Sequence, residues 1–150
     1  GILVDEQKQC ADIAPVYDCG SCLYPQMDEA GMQAILNDEK EINQRVYVFP
    51  TSAILENGKK ISYFDIISSL KNEDCNRALK RIAERIDMEQ LNKLVAETPF
   101  ITELQKDFYK VMLLERKEKI LDYSMELLLK QELSLREQQG SSGQTHELTM

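Results

Sequence analysis

The chain has 150 residues, 43% of them hydrophobic and 29% charged, enough apolar material for one sizeable core and one domain. No window approaches the roughly 18 uninterrupted apolar residues of a membrane span, and the opening "GILVDEQKQC" lacks the basic and apolar regions of a leader, so a cytoplasmic protein with no membrane association is expected. The formal charge of −8 disfavours direct nucleic-acid binding; nine acids against two lysines within residues 1–44 make that charge local, and suited to a divalent cation or a basic partner.

In chain order, "ADIAPVY" is a short apolar run broken by Pro15. "YPQMDEAGMQAIL" then turns helical, with Pro25 suited to the first turn and Met27, Met32, Ile35 and Leu36 sharing one side. In "QRVYVFPTSAILENGKKISYF" two β-leaning runs flank Asn57-Gly58, which signals a small hairpin. From Ser62 onward the pattern is helical. Asn72 can cap a helix whose Cys75, Leu79, Ile82 and Ile86 form an apolar stripe. Asp87 with Gln90, and Thr102 with Gln105, have capping-box spacing. The last helix runs without Gly or Pro from about Thr102 to Gln138. Its central "LERKEKI" is polar enough to predict a bend or an exposed section. The expected fold is therefore mainly α, with one small β-hairpin: a helical domain over residues 1–138 and a disordered tail over 139–150.

Cys19 and Cys22 have C-x-x-C spacing, but a redox pair of this type needs a helix starting at the first cysteine. Pro25 places that start later. A thiol-protease reading of "CGSC" fails because the single histidine, His146, lies in the polar tail. A zinc site on Cys10, Cys19, Cys22 and Cys75 would have only one pair at ligand spacing. The expectation is packed or loop-lining thiols without chemistry.

The aspartate in the same segment carries more. The run Ala14-Pro15-Val16-Tyr17-Asp18 resembles the "aPxYD" segment of HipA-like serine/threonine kinases. The similarity extends through "CGSCLYPQ", "RVYVFPTSAI", "NGKKISYFD" and "FYKVMLLERKEKIL", covering roughly residues 1–135. The resemblance implies a helical kinase C-lobe in which Asp18 plays the part of the DFG aspartate and binds Mg²⁺ against the phosphates of ATP. Such kinases also carry, upstream of this segment, a catalytic loop of the form D-x-H-x-x-N. No such motif occurs in this sequence, nor does a glycine-rich phosphate loop, so no catalytic or nucleotide-binding residue is assigned. The chain reads as the C-terminal part of a kinase whose remaining N-terminal portion is the missing partner, inactive alone and holding no cofactor tightly. The alternative is a stand-alone acidic helical interaction module of toxin–antitoxin type, with an antitoxin-like protein partner.

Overall fold

The computed structural model describes residues 2–4, 6–7, 10–13 and 20–142. Within them the chain is mainly helical. The expected hairpin is present as β3 (Leu55–Glu56) and β4 (Lys59–Lys60). It is joined by a second antiparallel pair, β1 (Ile2–Val4) with β2 (Cys10–Ile13). Asn57 and Gly58 at the β3–β4 turn both have positive φ, 52° and 78°. That is the backbone twist a two-residue hairpin requires and an Asn-Gly pair tolerates.

Helix α1 (Glu29–Leu36) starts later than its proline suggests. Pro25 lies in a turn, and Asp28 makes the cap by accepting the Gly31 N–H at 2.8 Å. A side-chain acceptor for an orphan N–H fixes a helix start more firmly than a proline that is merely compatible with one. The β-leaning reading of "QRVYV" is corrected by α2 (Glu39–Tyr47), which takes in Gln44, Arg45, Val46 and Tyr47. Asp38 caps it, Glu39 and Glu41 occupy its first turn, and Glu41 pairs with Arg45 one turn on. Val46 is buried on the inner side, so packing overrides its strand preference.

Ser62 caps α3 (Tyr63–Ser68) by accepting from the Asp65 N–H, and Asn72 caps α4 (Glu73–Ala83) through the Cys75 N–H as expected. The stripe on α4 is rotated from its predicted course. Leu79 and Ala83 are buried, whereas Ile82 is 50% exposed. Asp87 caps α5 (Met88–Glu97). At α6 (Glu103–Arg116) the capping box is complete: Thr102 N–H donates to the Gln105 side chain at 2.8 Å and Gln105 N–H to the Thr102 hydroxyl at 3.2 Å. The polar "LERKEKI" section interrupts the long helix as a π-helical turn, Lys117–Asp122, across which Lys117 Nζ reaches both Asp122 carboxylate oxygens at 2.8 and 2.7 Å. Helix α7 (Tyr123–Ser142) continues beyond the expected end at Gln138. Residues 143–150 of the proposed tail, with His146, lie outside the described residues.

Two apolar clusters organise these helices. Met32 and Ile35 of α1 meet Phe108 and Met112 of α6, with Leu23, Tyr24, Met27 and Ile42 around them. Leu79 and Ala83 of α4 meet Leu128 of α7, with Ile67, Leu70, Leu121 and Met125 alongside. The α6–π–α7 rod belongs to both. Among the described residues, no helix is long and apolar enough to cross a membrane.

Candidate functional site

Asp18, the one metal-ligand candidate, lies outside the described residues, as do Pro15, Tyr17 and Cys19. The structure does show how residues 20–24 are held. Residues Gly20–Leu23 form a 3-10 turn, and Leu23 and Tyr24 pack against the Met32–Phe108–Met112 cluster. The Tyr24 ring lies edge-on to Phe108, with centroids 6.3 Å apart. Tyr24 also holds a left-handed backbone conformation, φ 55°, which costs a bulky residue about 1–3 kcal/mol and persists only where surrounding contacts impose it.

Arg116, at the end of α6, adds polar contacts to the same segment. Its Nη1 donates to the Cys22 carbonyl oxygen at 2.8 Å. Nη2 donates to the Tyr24 hydroxyl at 3.3 Å, and Nε and Nη2 both donate to the Arg45 carbonyl at 3.2 Å. The guanidinium also sits 5.7 Å from the Tyr24 ring centroid, a cation–π contact. One planar fork thus ties the segment after Asp18 to α2 and α6, a task for which the compact ammonium of lysine lacks the geometry. Burial raises the Tyr24 pKa against the opposing fields of Arg116 and Arg45, so the phenol stays neutral.

Arg116 falls within "LERKEKI", which sequence reading marked only as polar. A charged residue at the junction of two apolar helical runs is the signal that could have singled it out. Cys22 is exposed and Cys75 half-buried, and what Cys22 gives the anchor is its backbone carbonyl. Among the described residues, no group of three or more His, Cys, Asp and Glu side chains could hold a metal ion. A contribution of one carboxylate from this chain still fits Mg²⁺, which keeps several waters and takes one or two carboxylates plus substrate phosphates.

Beside the anchor lies an open groove of about 960 Å³, bounded by the end of α2, α3, the π turn and the start of α7. Its floor is aromatic. Tyr47 meets Phe64 edge-on at 5.0 Å, and Phe64 stacks with Tyr123 at 5.8 Å. Lys119, at its margin, donates to Asn43 Oδ1 at 2.7 Å and pairs with Glu115. The hydrogen bond with Glu115, against the opposing effect of burial and with help from Tyr47 and Glu39, raises the Lys119 pKa.

No family model matches the chain. Its sequence is 45% identical over 143 residues to the serine/threonine-protein kinase CtkA of Helicobacter pylori, an alignment that covers 95% of this chain and 43% of that protein. The crystal structure of a Helicobacter pylori proinflammatory kinase CtkA superposes on it with a TM-score of 0.74 at 43% identity, covering 79% of this chain and 43% of that one. The chain therefore spans less than half the length of the kinase it matches, and it is a close homologue of that part of a serine/threonine-protein kinase.

Proposed function

We propose that this chain is the C-terminal lobe of a HipA-like serine/threonine kinase, which in the complete protein transfers phosphate from ATP to a protein hydroxyl. The observation that carries the reading is the 45% identity with a named serine/threonine kinase along almost the whole chain. That similarity favours the catalytic reading over an independent antitoxin-like interaction module. In this reading Asp18 is a Mg²⁺ ligand, and Arg116, by fixing the backbone four residues later at Cys22, is a positioning residue for it. The metal, when bound, neutralises phosphate charge. The rest of the complete protein supplies the substrate-activating aspartate and the phosphate-binding lobe. One carboxylate without those parts cannot position a nucleotide, so the 150-residue chain alone is inactive.

The test is Asp18→Asn in the complete protein, assayed by transfer of radiolabelled phosphate from ATP to protein serine and threonine. The amide keeps the shape of the carboxylate and removes the charge that meets the cation. The expected result is a loss on the order of a hundredfold or more with an unchanged circular dichroism spectrum. Full activity in the variant would remove the metal-ligand assignment. Asp18-dependent ATP hydrolysis by the 150-residue chain alone would overturn its reading as an incomplete lobe.

A further inference from the structure

The aromatic groove is separate from the Arg116 anchor: neither Arg116, Cys22 nor Tyr24 lines it. The groove, about 960 Å³ in volume, lies open to solvent along its length, a shape that suits a length of extended chain better than a small metabolite, which is usually enclosed on most sides. Tyr47 and Tyr123 are 37% and 45% exposed, so both leave ring surface available after their contacts with Phe64.

The charges around these rings are unequal in what they already bind. Lys119 is matched by Glu115 and Asn43 within the protein. Asp65 accepts from the Ser62 hydroxyl at 2.7 Å and makes no ion pair with the described residues. Glu118, exposed on the π turn, makes no ion pair with the described residues. Lys60, exposed on β4, is the remaining positive group on the lining and makes no ion pair with the described residues. The lining holds two carboxylates and two ammonium groups, of which only Lys119 is ion-paired among the described residues; two unpaired carboxylates against one unpaired ammonium, beside two exposed phenol rings, favour a cation over an anion. Aromatic faces add to this through their quadrupoles.

We propose that this groove binds an arginine or lysine side chain on an extended segment of the protein substrate. This rests on the kinase reading for the identity of the occupant, and on the groove alone for its charge. Glu118 and Asp65 supply the counter-charge, and Tyr47 and Tyr123 the ring surface. Glu118 belongs to a π-helical turn, an irregularity that often marks functional positions in helices.

The test uses a fluorescein-labelled heptapeptide with arginine two residues before a central serine, titrated into the 150-residue chain and into the complete protein and followed by fluorescence anisotropy. A second peptide carries citrulline, which keeps the size of arginine and removes its charge. The expected result is saturable binding of the arginine peptide that weakens roughly three- to tenfold on citrulline substitution. Glu118→Gln should shrink that arginine preference about threefold, and Tyr123→Leu should shrink it similarly; circular dichroism checks that each variant is folded. Equal binding of the two peptides, or an arginine preference unaltered in both folded variants, overturns the proposal. In the complete protein, Glu118→Gln should raise KM more for the arginine peptide than for the citrulline peptide. Arginine-selective binding by a complete protein that transfers no phosphate would remove the kinase reading and leave the groove standing. Phosphoryl transfer with no arginine preference would do the reverse.

Discussion

The two apolar clusters differ in depth, and the difference matches what each one supports. In the first, Met32, Phe108 and Met112 are wholly excluded from solvent and Ile35 keeps 3% of its surface exposed. It holds Leu23 and Tyr24, the residues that anchor the chain following Asp18. In the second, Leu79, Ala83 and Leu128 keep 4–8% of their surface exposed. Its helices α3 and α7 also carry Phe64, Asp65 and Tyr123 of the open groove. Under the proposed reading of Asp18 as a Mg²⁺ ligand, close packing and a rigid hydrogen-bonding fork at residues 20–24 would serve to position that carboxylate. A surface that receives a polypeptide segment can be backed by shallower packing, since regions of lower local stability adapt more readily to what they bind.

The largest expected effect comes from truncating each core in turn. Phe108→Ala should destabilise the chain by about 3–5 kcal/mol, and Leu79→Ala by about 2–3 kcal/mol, both read from urea-unfolding midpoints. Phe108→Ala should also expose the 20–24 segment to proteolysis under native conditions, which Leu79→Ala should not. Equal proteolytic patterns would dissolve the distinction between the two regions.

A smaller effect sharpens it. Arg116→Met keeps much of the side-chain length and removes the donors to the Cys22 and Arg45 carbonyls and the Tyr24 hydroxyl. The loss should be about 1–3 kcal/mol. Arg116→Lys should recover only part of it, because an ammonium cannot reproduce the fork. Full recovery with lysine would show that charge alone holds the segment.

The smallest effect is a pH dependence confined to the first region. The folded pKa of Tyr24 is raised above its ordinary value of 10.0 by burial. As pH climbs past that value the unfolded chain releases the phenolic proton while the folded chain retains it. Stability should therefore fall with rising pH in the interval between the unfolded and folded pKa values. Tyr24→Phe should flatten this part of the alkaline decline in a series of urea titrations. An unchanged slope would show that Tyr24 does not contribute to it.

By itself the sequence determined the features that depend on a few neighbouring residues. Asn72, Asp87 and the Thr102–Gln105 pair cap the helices they were expected to cap, and Asn57-Gly58 turns the hairpin. Each depends on groups within three residues of one another, so spacing is sufficient. The polar break in the last helix was also legible, although its π-helical form was not. The "APVYD" run and its extended similarity pointed to a kinase, and the relationship to a serine/threonine-protein kinase bears out that part of the reading. The position of Asp18 itself stays outside the described residues.

Only the tertiary structure decided what depends on distant partners. Helix α2 overrides the strand preference of Val46 because Asp38, Glu39 and Glu41 start the helix and the core receives the valine. Ile82 faces outward although its spacing fits the α4 stripe, because α7 meets α4 at Leu79 and Ala83 instead. Arg116 becomes an anchor only when folding brings Cys22 and Tyr24, more than ninety positions away, within reach of its guanidinium. The groove likewise exists only where α2, α3, the π turn and α7 converge. Local spacing fixes which backbone groups a side chain can cap, but which distant surface it meets is set by how the helices pack, and that is settled by the whole chain burying its apolar faces together.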